Sequence, residues 1–174
     1  MIEYRLDSFN ELCHNRTIAG EPFERAIINN TIELTTAFNQ DPRNTPVTGL
    51  AAVISIPRGG VPTAKGVVCA LEDVQACSPE LITSNLKTDP DHLYPADLFD
   101  NLDTLIITDG VTASGKTIIS HLSQIPETWS GRLMVLSNAC SRLGANAIES
   151  WAERHNKSDL DLVTSRIFEN DECE

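Results

Sequence analysis

The stretch "TDGVTASGKT", residues 108–117, decides the fold because it admits two readings that predict different chemistry. From Gly110 to Thr117 the letters run G-x-x-x-x-G-K-T, the phosphate-binding pattern of a nucleoside triphosphatase. In that pattern the N–H groups of a glycine loop cradle phosphates, the lysine reaches them and the threonine holds magnesium. Taken from Thr104, the same residues are an apolar strand, "TLIIT", that ends in the acid Asp109 and runs into a loop of small residues.

The surrounding chain separates the two. A triphosphatase places this loop after its first strand and needs a later apolar strand ending in an acid for the metal. Downstream, "RLMVLSN" ends without one, and only 57 residues follow Thr117. Upstream, "LAAVISI" at 50–56 is an apolar, partly β-branched run, as expected of a strand buried on both faces, and "PRGGVP" breaks it. Ala64, Val67, Val68, Leu71 and Val74 then recur at helical spacing, so strand, glycine loop and helix follow in order.

The first helix is expected in "GEPFERAIINNTIELTTAFNQDP", residues 20–42, with Phe23, Ile27, Leu34 and Phe38 on one face, Pro22 in the first turn and Asp41-Pro42 as the stop. "ELITSNL" can form another strand, and "KTDPDHLYPADLFDN" at 87–101 is long enough for an irregular arm over a site. After the quoted loop come the helix "KTIISHLSQ", the strand "GRLMVLSNA", the amphipathic helix "LGANAIESWAERHN" and a last strand "DLDLVTS". This alternation predicts an α/β single domain, a mostly parallel central sheet flanked by helices. In such sheets ligands gather at the carboxyl ends of strands, where both glycine loops fall.

At 174 residues and 41% hydrophobic, the chain reads as one domain over 1–174, large enough to bury roughly two-thirds of its surface. Residues 169–174 form an acidic tail. A net charge of −12 speaks against nonspecific binding to nucleic acid or an anionic membrane, so an anionic ligand needs a local cationic pocket or a metal. There is no apolar run of about 20 residues and no secretory pattern in "MIEYRLDSFNE", which leads to the expectation of a cytoplasmic protein. Cys13, Cys69, Cys77, Cys140 and Cys173 contain no C-x-x-C pair and read as buried reduced thiols.

With two glycine loops after two strands, the chain resembles the type I phosphoribosyltransferases, and among them the uracil phosphoribosyltransferases. The ligand loop of that family approximates V-D-P-M-L-A-T-G-G-S. "TDGVTASGKT" is similar to it, with Asp109 on the acid, Ala113 on the alanine, Ser114 on the threonine, Gly115 on the first glycine and Thr117 on the last hydroxyl. Gly110 stands where the relatives have proline or a second acid. The family's pyrophosphate loop, P-I-L-R-A-G-L, is matched by "SIPRGGV", with Arg58 on the arginine and Gly60 on the glycine. "PFERAIINNTIELTTAF" and "VLSNACSRLGANAIE" are similar to flanking elements, so the resemblance covers about residues 15–168.

The resemblance implies a site for phosphoribosyl pyrophosphate (PRPP), and with it an enzyme that moves ribose 5-phosphate to a nucleobase-like acceptor, uracil first. It implies that N–H groups of residues 112–117 take the 5-phosphate, with Thr112, Ser114 and Thr117 as hydroxyl donors and Gly110, Val111, Ala113 and Gly115 shaping the loop. Lys116 replaces a glycine and is either an extra phosphate contact or a solvent-facing side chain. Arg58, with the N–H groups of Gly59 and Gly60, would hold the departing pyrophosphate. Asp109 would orient the ribose hydroxyls or stabilise charge at the anomeric carbon, and reach Mg2+ through water. Taken alone, Asp109 could equally be a turn or helix cap and Arg58 a surface residue at a glycine turn.

Lys87 falls in the arm, where relatives use a cation for the phosphates. Lys65, Arg16 and Arg25 are ambiguous, and His14, His92, His121 and His155 show no ligand spacing. Trp151 is expected to pack the last helix. The relatives also carry a non-proline cis peptide in the pyrophosphate loop, which would fall near Pro57-Arg58. Their base-recognising segment, Y-x-x-P-G-x-G-D-x-G-D, is not matched by "VTSRIFENDECE". Three readings stay open: another acceptor, a second subunit completing the base site, or a non-catalytic PRPP-binding or nucleotide-binding regulatory or accessory subunit. Such relatives form dimers, and a homodimer is expected.

Overall fold

The computed structural model describes residues 1–14, 19–73, 77–84, 94–95 and 97–169, with the backbone alone at 11–14 and 78. Lys87, Arg16 and His92 lie outside the described residues, as does most of the arm over 87–101. The elements run β1 (Ile2–Glu3), α1 (Asp7–His14), α2 (Glu21–Gln40), β2 (Gly49–Ser55), α3 (Gly60–Asp73), β3 (Cys77–Thr83), β4 (Thr104–Thr112), α4 (Lys116–Leu122), β5 (Arg132–Ser141), α5 (Arg142–Arg154) and β6 (Asp161–Phe168). One six-stranded sheet has the order β1-β6-β5-β4-β2-β3, and every pairing is parallel. The expected α/β architecture is therefore present, with helices on both faces.

Two-residue alternation builds both cores at once. Ala52, Ile54, Leu105, Ile107, Leu133, Val135 and Leu162 face α4 and α5, meeting Ile118, Leu122, Ile148 and Trp151. Their neighbours Ala51, Val53, Ile106, Met134, Leu136 and Val163 face α2 and α3, meeting Leu34, Phe38, Ala64, Val67 and Leu71. A strand covered on both sides must be apolar at every position, which is why "LAAVISI" and "TLIIT" show no polar alternation. Trp151 is 5% exposed and packs α5 as expected. Of the thiols expected to be buried, Cys140 is, Cys77 is partly so, and Cys69 is exposed on the outer side of α3.

Two details depart from the expectation. The helix over 21–40 is not the first element, because β1 and α1 precede it. β1 has only two residues, paired to β6 at Val163 and Thr164, too few to show a period. Phe23 lies on the angular stripe of α2 but is 44% exposed, so the first turn projects past the packed layer, while the buried stripe runs through Ile27, Asn30, Thr31, Leu34, Thr35 and Phe38. Where α2 crosses α3, a Cβ on Gly66 would lie 2.6 Å from Thr31 Cβ, so only glycine permits this approach.

No helix among the described residues is long and apolar enough to cross a membrane.

Two glycine loops at one edge of the sheet

β2 and β4 are adjacent parallel strands with Ser55 opposite Thr108, so the loops that follow them start side by side. The Ile56 N–H donates to the Thr108 carbonyl at 3.2 Å, carrying the pairing one step past β2. The chain then turns through Arg58, whose φ of 75° is left-handed, and the Val61 N–H closes the turn on the Arg58 carbonyl at 3.2 Å. The cis peptide expected near Pro57-Arg58 is absent: no peptide bond among the described residues is cis. Left-handed Arg58 makes the reversal instead. That conformation costs a non-glycine residue roughly 1–2 kcal/mol, and such strain gathers at functional sites. The Arg58 side chain is exposed.

The second loop is shorter than its sequence suggested. β4 does not stop at Asp109 but stays paired with β5 through Val111–Ala139 and Thr112–Cys140. Only Ala113, Ser114 and Gly115 link strand to helix, with Gly115 left-handed at φ 71° as the N-cap of α4. A Walker-type cradle needs the backbone after its first glycine free to wrap a phosphate, and here Gly110 to Thr112 are strand. That geometry counts against the triphosphatase reading. Thr112 is buried, and its hydroxyl donates to Ser137 Oγ at 3.2 Å, so it faces the interior and not a ligand. Ala113, Ser114, Lys116 and Thr117 are exposed, and Val111 is 63% exposed.

The loop rests on the first turn of α5. Ser141 donates to the Ala113 carbonyl and accepts the Gly144 N–H at 2.9 Å, capping that helix. A Cβ on Gly144 would stand 2.7 Å from the Ala113 carbonyl oxygen.

The first loop packs on the end of β4, backbone against backbone. A Cβ at Gly110 would lie 2.9 Å from both the Cα and the carbonyl oxygen of Gly59, and one at Gly60 would lie 2.5 Å from the Thr108 carbonyl oxygen. The same construction at Gly59 reaches 3.8 Å from a carboxylate oxygen of Asp109. Arg58, Gly59, Gly60, Asp109 and Gly110 thus share one patch of the carboxyl edge. Asp109 is half-buried, and burial raises its pKa above the ordinary carboxylate value, a rise opposed by the N–H groups of Gly110 and Val111 bonding to its oxygens. Among the described residues no group of three His, Cys, Asp or Glu could hold a metal.

Two features of this edge went unread in the sequence. Asn138, fully inside the sheet, donates to Thr63 Oγ1 at 2.9 Å, and Thr63 donates to the Gly59 carbonyl at 3.1 Å. On the other face, His121 is wholly buried, with Nδ1 2.8 Å from the Thr117 carbonyl and Nε2 2.7 Å from Ser84 Oγ. A carbonyl can only accept, so Nδ1 carries the proton and Nε2 accepts from Ser84. The available signal was a polar residue at an inward strand or helix position, which sequence spacing alone does not distinguish from a surface one.

No family's sequence model matches the chain, and no curated protein matches it. Solved structures do. The AQ2163 protein of Aquifex aeolicus superposes with a TM-score of 0.68 at 15% identity, over 97% of this chain and 87% of that one. Adenine phosphoribosyltransferase of Trypanosoma brucei, solved in complex with AMP, pyrophosphate and ribose-5-phosphate, gives 0.55 at 12% identity, over 80% and 64%. Orotate phosphoribosyltransferase of Aeropyrum pernix gives 0.51 at 15% identity, over 86% and 73%. The fold is that of the type I phosphoribosyltransferases.

Proposed function

We propose that this chain binds PRPP across its two glycine loops and transfers the 5-phosphoribosyl group to a nucleobase-like acceptor, with uracil the first to test. The backbone contact of Gly59 with Gly110 carries the reading, because it packs the Arg58 loop against the end of the strand that leads into residues 113–117. Likeness of fold to enzymes of this chemistry supports it.

In this reading the loop 113–117, which no side chain caps at Gly115, receives the 5-phosphate, with Ser114 and Thr117 as exposed hydroxyl donors and Lys116 beside them. Arg58 and the N–H groups of Gly59 and Gly60 receive the diphosphate, a guanidinium fork being suited to phosphate oxygens. Asp109 lies between the two phosphate sites and orients the ribose. As the single acid at the junction it would hold Mg2+ through water, with the remaining ligands coming from PRPP. The ion, when bound, neutralises diphosphate charge. Transfer breaks the anomeric carbon–oxygen bond, and pyrophosphate leaves with the electron pair. An acceptor nitrogen forms the new bond to the anomeric carbon and gives up its proton. Positioning and electrostatics supply the catalysis, and no enzyme nucleophile is needed.

A second reading uses the same two loops: a regulatory or accessory subunit that binds PRPP without turning it over. Incubation with PRPP, Mg2+ and a panel of bases, with pyrophosphate release as the signal, separates them. Release dependent on uracil or another base supports the transferase. PRPP binding without release across the panel supports the accessory subunit, and ATP hydrolysis that needs Lys116 but not Arg58 overturns both.

A further inference from the structure

A chain of buried side chains ends on the backbone of the Arg58 loop. Asn30 donates to Asn138 Oδ1 and, at 3.0 Å, to Ser165 Oγ. Asn138 Nδ2 donates to Thr63 Oγ1, which donates to the Gly59 carbonyl. Asn30, Thr31 and Thr63 are fully buried, and Asn138 is 1% exposed. Donor and acceptor roles fix the direction. Thr63 has one hydroxyl proton, and because it receives Asn138, that proton is free to go only to Gly59. If the Asn138 amide were turned over, its NH2 group would face the NH2 group of Asn30.

In a trans peptide the C=O and N–H point opposite ways. Thr63, four residues on in α3, holds the Gly59 carbonyl along that helix, so the N–H of Gly60 in the same peptide points the other way, off the amino end of α3, where Gly60 itself is buried. That N–H has no intrahelical partner, since the first N–H groups of any helix lack one. Deep burial of four polar side chains is expensive unless each is bonded, and a layer of leucine-sized residues would hold the helix as well. Among the described residues, the network's contact with a loop is this carbonyl.

We propose that Asn138 and Thr63 are positioning residues for the Gly59–Gly60 peptide, holding it so that the Gly60 N–H is directed off the amino end of α3 as a donor to a diphosphate. This rests on the proposed function for the ligand's identity, though not for the orientation of the peptide.

The test uses the full chain with Thr63→Val, Thr63→Ser, Asn138→Ala, the double variant and Val67→Ala. The last destabilises the same helix away from the loop. Two quantities are read: the 15N–1H position and hydrogen exchange of the Gly60 amide without ligand, and PRPP affinity with Mg2+. The expected result is a shifted, faster-exchanging Gly60 amide and about ten-fold weaker PRPP binding in Thr63→Val and Asn138→Ala. The double variant should be no worse than either single one, because both act through one hydroxyl. Thr63→Ser should stay within about two-fold of wild type, and Val67→Ala should lower Tm with the amide and affinity unchanged. An unmoved Gly60 amide in Thr63→Val overturns the proposal, as does a moved amide with wild-type affinity. If the wild type does not bind PRPP at all, the functional reading falls, and the amide alone then decides the orienting role. Should Asn138→Ala fail to fold, Thr63→Val against Thr63→Ser decides it.

Discussion

Arg58 holds a conformation that glycine would adopt without cost, so its side chain must contribute something that outweighs the strain. Arg58→Gly removes the left-handed penalty while adding freedom to the unfolded chain, and the balance is a gain of about 0.5–1 kcal/mol. A chain of this size should show that as a rise in Tm of roughly 1–4 °C. PRPP affinity should fall at least ten-fold, the size expected for loss of a charge-assisted contact. Arg58→Ala keeps the strain, and calorimetry should show the loss of affinity without the gain in Tm. Gly110 is the reverse case, fixed by space alone. Gly110→Ala must push Gly59 aside or shift β4, with an expected cost of about 1–3 kcal/mol in denaturant unfolding, and PRPP binding should weaken with it. Asp109 illustrates the trade between stability and chemistry. With a folded pKa raised by burial, its charged form costs stability that is regained as pH falls through that value, so Asp109→Asn should be more stable than wild type at neutral pH and inactive.

At the scale of elements, α4 is a seven-residue helix that begins after Gly115 and whose last turn is anchored by His121. Burial lowers the His121 pKa below the ordinary value of about 6.5. Between the two values the unfolded chain binds the proton and the folded one does not, so this contribution to stability is present above the ordinary pKa and is lost as pH falls below it. Tm measured from pH 8 to pH 5 should drop more steeply in wild type than in His121→Gln. Strands and helices were legible in the sequence where burial on both faces or on one stripe left long apolar runs, as in β2, β4 and α2. β1 was not, since two residues carry no period. The extension of β4 to Thr112 was not either, because glycine and small polar residues read as loop while their pairing comes from β5. The two glycine loops were visible as motifs, but their contact depends on β2 lying beside β4, which is a property of strand order. The Asn138 network was illegible for a related reason: Asn30, Thr63 and Asn138 are brought together from positions 75 and 108 residues apart.

For the whole molecule, a net charge of −12 sets the long-range field against any polyanion, while Arg58 and Lys116 are exposed cations on the loops that follow β2 and β4, the strand that carries half-buried Asp109. Long-range repulsion is screened within about 10 Å at 0.1 M salt, whereas contacts inside the site are screened less. Association of PRPP should therefore quicken modestly as monovalent salt rises from low values, the opposite of an electrostatically steered pair, and stopped-flow binding at constant Mg2+ would read it. The sheet sets where each loop begins: Ser55 lies opposite Thr108, and Gly59 packs against Gly110 of β4. The most direct measurement is a calorimetric titration of PRPP, with Mg2+ present, into wild type, Arg58→Ala and Thr117→Val. A ligand gripped at both ends gives one site per chain, weakened at least several-fold by either substitution. No heat with wild type, or an affinity that either substitution leaves untouched, would show that the two loops do not hold one ligand between them.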